Sequence, residues 1–305
     1  MKLPRRLATL IAAFALSLTL APTSVIAASA GGGVASLECG PDEHATAKDV
    51  LVGRDGVVRE KDLGQAHTDL PARAKGRAPA TFSVTVPVYF HVITDGATGN
   101  LTSTQISAQI GVLNNTFGGG EGGPDTGFSF TLAGVTRTDN ASWFATSGGA
   151  EAAMKQALKQ GGDNALNVYS TSGGGYLGWA YLPSITDSSQ SYLDGVVLNW
   201  QTVPGASSTY AGRYDLGETL THEAGHWLNL EHTFHGGCNR GDFVDDTAPQ
   251  KTASSGCPIG KDTCRAPGVD NIHNYMDYSY DSCYTEFSAG QTQRMRDAWL
   301  FYRAS

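Results

Sequence analysis

His222-Glu223-Ala224-Gly225-His226-Trp227-Leu228-Asn229-Leu230-Glu231-His232 is the stretch whose reading decides the fold. Residues four apart share one helix face, so His222 and His226 can aim their imidazoles at one point. Glu223, one step round, lies beside that point, where a general base belongs. His232 falls off that face if the helix continues. The helix is therefore expected to end near Asn229, a residue type that accepts the left-handed backbone needed to turn the chain back. Three imidazoles with one position left open make a zinc site of the catalytic rather than the structural kind.

Upstream of this stretch the chain alternates strand and helix patterns. Residues 81–93 alternate and then turn apolar, as a strand entering a core does. Residues 102–117 place Ile106, Ile110, Leu113 and Phe117 on one helical stripe, with Ser103 as the expected cap. Strands are expected at 128–135, 165–169 and 195–200, and a short helix at 151–160. The stretch 176–183 contains a glycine and ends in proline, which suits an edge strand better than a central one. Such an edge, at Gly178, Trp179 and Ala180, can bind an extended peptide as an added strand; a surface strand without a ligand would read the same. Downstream, residues 233–287 are rich in Cys, Gly and Asp and promise little regular structure. A helix over 288–302 closes the chain, with Ser288 and Gln291 as a capping box.

The chain has 305 residues and a formal charge of −8, and the acidic excess lies beyond residue 80. That balance disfavours nucleic acid and anionic membrane as partners. Residues 1–30 read as a secretory signal: Lys2, Arg5 and Arg6, then an apolar run too short to span a bilayer, then a small-residue exit. The expected setting is extracellular, with no stable membrane association and a monomeric chain. Residues 31–80 read as a separate pro-segment. It ends in Pro71-Ala72-Arg73-Ala74-Lys75-Gly76-Arg77-Ala78-Pro79, a basic stretch expected to be exposed to proteases. The catalytic domain is then 81–305, divided into 81–232 and 233–305.

With Asn274-Tyr275-Met276-Asp277-Tyr278 downstream, the histidine pattern resembles that of the metzincin metallopeptidases. Gly178 to Pro183, Asp194-Gly195-Val196-Val197, Leu220-Thr221 and Thr233-Phe234 narrow the resemblance to the pappalysin-type (M43, cytophagalysin) subfamily, over residues 81–303. It implies an α+β zincin fold: a twisted, mostly parallel five-stranded sheet with an antiparallel edge strand and backing helices, an active-site helix, and an irregular disulfide-bonded C-terminal subdomain ending in a helix. It also implies a secreted endopeptidase acting on protein or peptide substrates. Zinc on His222, His226 and His232 would activate water, with Glu223 as general base. A zinc-containing binding module without turnover, or a hydrolase of non-peptide amides, would share the same ligands; an intact Glu223 disfavours the first and the edge strand the second.

Further roles follow from the resemblance. Tyr278 matches a tyrosine that stabilises the oxyanion in several metzincins, against the plainer reading of a core aromatic. Met276 reads as an apolar floor, since a thioether is a poor zinc ligand beside three imidazoles. Cys39 in the pro-segment could occupy the open zinc position as a thiolate, or be an unpaired or intermolecular cysteine. Four other cysteines allow three connectivities; the resemblance implies Cys238–Cys264 and Cys257–Cys283. Asp242, Asp245 and Thr247 offer hard oxygen ligands for calcium, or form a solvated acidic loop. Asp281, near the metal, would favour a basic substrate side chain if it faces the cleft.

Overall fold

The computed structural model describes residues 51–52, 58–59, 61 and 63–304. The expected signal segment, much of the expected pro-segment and Cys39 lie outside them. A short antiparallel ladder, β1 (Leu51–Val52) with β2 (Val58–Arg59), precedes the main sheet. That sheet has the order β4-β3-β5-β7-β6. Its members are β3 (Val84–Thr94), β4 (Phe128–Asp139), β5 (Leu166–Thr171), β6 (Gly178–Ala180) and β7 (Val196–Asn199). Every neighbour pair is parallel except β6 on β7, the edge. The mostly parallel five-stranded sheet with an antiparallel edge is the one expected.

Parallel strands are connected by crossovers that cover both faces, so their side chains are buried on both sides. Val86, Val88, Phe90 and Val92 of β3 join the core that holds α1 (Ser103–Phe117) and the histidine helix α4 (Glu218–Trp227). Ile93, Tyr169 and Trp179 pack on the other face with α2 (Ala141–Ala145) and α3 (Ala150–Leu158). His91, fully buried in β3, pairs Nδ1 with Thr136 Oγ1 at 2.8 Å and Nε2 with Asn167 Oδ1 at 2.9 Å. It is a satisfied core histidine.

Three local expectations shift. The cap of α1 is Thr102, not Ser103: Thr102 Oγ1 accepts from Gln105 N–H while Gln105 Oε1 accepts from Thr102 N–H. Ser103 has Ile106 in the reciprocal position, which offers no acceptor. β4 runs to Asp139 because β3 pairs with it up to Thr94, beyond the end of the apolar pattern. The small helix α2, capped by Asn140, was too short for any periodicity to declare it.

The described part of residues 61–80 packs against the end of the chain. Leu70 and Ala74 are buried against Ala298, in helix α6 (Ala289–Ala298), which follows the single turn α5 (Gly237–Arg240). Asp297 accepts the backbone N–H groups of Gly76, Arg77 and Ala78 at 2.6–2.9 Å. Backbone donors, invisible to a composition argument, hold this segment down. Arg73, Lys75 and Arg77 remain exposed, as expected.

Behind α4 the chain end forms a buried polar anchor. α6 begins with the expected Ser288–Gln291 capping box and continues into a π turn, Trp299–Arg303. Arg303 is fully buried. It donates to Trp227 O, Asp163 O and both oxygens of Asp194, with its guanidinium 3.6 Å from the Trp227 ring. Removing one partner of a buried pair leaves the other charge stranded. Arg303→Ala is expected to cost about 3–5 kcal/mol, read by urea denaturation.

Candidate metal centre and substrate cleft

α4 is buried along its whole length. It starts after Gly217, whose φ of 104° only glycine adopts without strain. The N–H groups of Leu216 and Gly217 donate to Asp281. At its other end Asn229 has φ 76°. Leu230 N–H donates to Gly225 O and Asn229 N–H to His226 O, the two bonds of a Schellman closure. Arg294 of α6 then takes Asn229 O at 2.8 Å. The chain reverses here and brings His232 back over the helix.

The three Nε2 atoms of His222, His226 and His232 lie 3.0, 3.1 and 3.2 Å from one another. With Zn–N bonds of about 2.05 Å these spacings subtend roughly 94–103° at a common centre, as three ligands on one side of a zinc ion do. His222 Nδ1 donates to Tyr275 O at 2.6 Å and His226 Nδ1 to Leu230 O at 2.8 Å. Protons held on Nδ1 leave the Nε2 lone pairs aimed at the centre. Burial pulls the His222 pKa down to about 4 and holds His226 and His232 well below the usual imidazole range. The imidazoles are therefore neutral, as metal ligands must be. Three lone pairs converging in a dry site call for a cation.

Glu223 is buried beside them, and Gly178 of β6 explains how it fits. A Cβ at Gly178 would sit 3.0 Å from Glu223 Cγ and Oε1. Gly225 serves the other side: a Cβ there would meet Met276 Sδ at 2.5 Å. Met276, fully buried, thus packs directly under the helix backbone. Its turn is held by Asn274 Oδ1, which accepts Met276 N–H, while Met276 O accepts Thr233 N–H. Two residues on, Tyr278 Oη lies 3.1 Å from His232 Nε2.

A cleft beside His222 and Glu223 is walled by Leu177, Tyr214 and Tyr278 and floored by Glu218 and Asp281. Burial, and the charge of the neighbouring Glu218 carboxylate, push the Asp281 pKa well up; burial raises Glu218 also, against a hydrogen bond from Asp281 that lowers it. The docked segment reaches the edge strand β6 and Leu182 just beyond it. Gln65 binds both main-chain groups of Leu182, at 2.6 and 3.3 Å, and Lys61 Nζ lies 3.0 Å from the Trp179 ring centre.

A family model described as pregnancy-associated plasma protein-A, peptidase family M43, matches residues 165–299, which contain β5 to α6 and every residue around the centre. An extracellular metalloprotease of Neurospora crassa is 41% identical over 303 residues, covering 97% of this chain and 98% of that protein. The chain belongs to the M43 metallopeptidases. An extracellular metalloprotease of Arthroderma benhamiae is 48% identical over 241 residues, covering 76% of this chain and 78% of that one. Among solved structures, mature mirolysin of Tannerella forsythia, in complex with a cleaved peptide, aligns at TM-score 0.61 and 29% identity, over 70% of this chain and 90% of mirolysin. A promirolysin mutant aligns at 0.65 and 27%, over 74% and 83%.

In this M43 chain the lower half of the site is stapled by Cys238–Cys264 and Cys257–Cys283, each with Cα atoms 5.5 Å apart. Of the loop expected to suit calcium, Asp242 is buried; its Oδ1 accepts from Thr247 Oγ1 at 2.6 Å and from Val244 N–H at 3.2 Å. Its Oδ2 has no hydrogen-bond partner among the described residues. Burial raises the Asp242 pKa to about 6, above the usual carboxylate range. A carboxyl whose folded pKa is raised contributes stability that is fully present below its unfolded pKa and lost as pH rises through the folded one. Asp242→Asn is therefore expected to gain melting temperature relative to the parent as pH goes from 4 to about 7. A flat difference across that range would remove the desolvated carboxylate from the account.

Several groups around the site were not legible beforehand. Gly225 and Gly178 are glycines for reasons of close approach to Met276 and Glu223. Arg294 clamps the Asn229 turn from 65 residues away. Only the H-E-A-G-H spelling hinted at the first, and nothing local hinted at the last.

Proposed function

We propose that this M43 metallopeptidase is a secreted zinc endopeptidase in which Glu223 is the general base and Tyr278 the second oxyanion donor. The convergence of three neutral Nε2 atoms beside buried Glu223 carries the reading. Zinc, held by His222, His226 and His232, supplies the Lewis acidity that makes water nucleophilic near neutral pH. Glu223 Oε accepts the proton and returns it to the leaving amine. Tyr278 Oη, beside His232, donates to the oxygen that gains charge. Gly178–Ala180, the edge of the sheet, aligns the peptide as an added strand. Residues 31–80 act as a pro-segment; Gln65, on both main-chain groups of Leu182, occupies backbone at the end of the edge that a bound peptide needs. Secretion accords with relatives named extracellular. No described helix is long and apolar enough to cross a membrane.

The carboxyls of Glu218 and Asp281 at the cleft floor favour a lysine or arginine next to the scissile bond, where a cation relieves two buried acids. Arg73 and Arg77 then become candidate self-cleavage positions. Calcium at Asp242, Asp245 and Thr247 belongs to the same reading, supported by the unsatisfied Asp242 Oδ2. A peptide library incubated with purified enzyme, with and without a zinc chelator, tests the whole. Expected is cleavage, abolished by chelation and restored by zinc, enriched at basic residues. Cleavage that survives full metal removal would overturn the mechanism; cleavage without basic preference would overturn the acidic floor alone.

A further inference from the structure

A second group of donors meets next to the catalytic imidazoles. His67 comes from the docked segment, and Glu231 and His235 flank His232 in the chain. Their ligand atoms all lie within 4.8 Å of one another. His67 Nδ1 is 2.5 Å from Glu231 Oε2, with the two side chains only 5% and 1% exposed. The rings of His67 and His235 lie 4.7 Å apart at 24°. That is nearly the relation of His222 to His232, 5.1 Å and 28°, whose nitrogens converge on one centre. Glu231 Oε1, on the other side of the same carboxylate, is buried without a hydrogen-bond partner among the described residues. Such an oxygen is expensive to leave bare, and a cation satisfies it. The reaction derived above uses none of these three residues.

We propose that His67, Glu231 and His235 form a second divalent-metal site of the zinc type, which staples the docked segment to the catalytic domain. Two imidazoles and one carboxylate are zinc donors; calcium and magnesium prefer all-oxygen shells. On binding, the ion takes the place of the proton held between His67 Nδ1 and Glu231 Oε2 and also reaches Oε1 of the same carboxylate, and the displaced proton passes to solvent. In the chain, His67 is separated from its two partners by the 71–79 stretch, where Arg73, Lys75 and Arg77 are exposed. Cleavage there would leave the site without a covalent link to one ligand, so the ion would be lost on maturation. That consequence rests on residues 31–80 being a pro-segment; the site itself does not.

The test uses the full chain carrying Glu223→Gln, so that it does not process itself, equilibrated with zinc and freed of excess before metal analysis. Expected are about two zinc ions per chain, falling to about one in His67→Asn and in His235→Ala. His67→Asn keeps a donor toward Glu231, so docking survives while metal affinity falls. The parent should also show a zinc-dependent rise in melting temperature that His67→Asn loses in part. His226→Ala reports the catalytic site separately. One zinc in the parent, removed by His226→Ala and unchanged by His67→Asn, overturns the second site and leaves the catalytic reading standing. About one zinc in His226→Ala that His67→Asn then removes supports it.

Discussion

Glu223→Gln is expected to keep the zinc ion and lose about 10²–10⁴-fold in kcat, the range for removing a general base. Glutamine has the shape of glutamate and can still lie against Gly178, where the side chain is held within contact distance. It cannot take a proton. The three Nε2 atoms that define the centre come from other residues, so metal content should not change. Zinc analysis beside kcat and KM on a fluorogenic peptide checks both halves. Near-parental turnover with full zinc would remove Glu223 from the mechanism. Zinc lost together with activity would make Glu223 a support of the metal rather than a base.

A second large effect is expected one turn further on. Asn229→Val should lose zinc and destabilise the fold by about 1–3 kcal/mol, while Asn229→Gly should stay close to the parent. Position 229 has φ 76°, which asparagine tolerates, glycine adopts freely and a β-branched residue resists. Two hydrogen bonds of the helix closure and the Arg294 contact depend on that conformation. If valine forces the backbone out of it, His232 no longer reaches the other two imidazoles. Metal content and thermal melting of the two variants give the comparison. Valine retaining full zinc would show that His232 is positioned by something other than this turn.

Much of the site could be read one residue at a time. His222 and His226 declare themselves through helical spacing, and Asn229 through its backbone tolerance. The sheet was legible because β3 alternates and then turns apolar, while β5 and β7 place apolar residues directly after glycine-containing turns. The tail of β4 was not, since its exposed residues carry no apolar pattern and its partner β3 alone extends it. The cap of α1 moved by one residue because a capping box needs both of its members, and only Thr102 with Gln105 supplies them.

What the sequence determined by itself was whatever depends on neighbours along the chain: helix face, turn conformation, strand burial and the identity of the ligands. What only the tertiary structure decided was which distant groups meet. Glu231 and His235 are ordinary residues near a ligand until His67, 164 positions before Glu231, is laid against them. The physical reason is that periodicity reports a residue's direction relative to its own element. Contacts between elements are set by how those elements pack, and no local pattern encodes that.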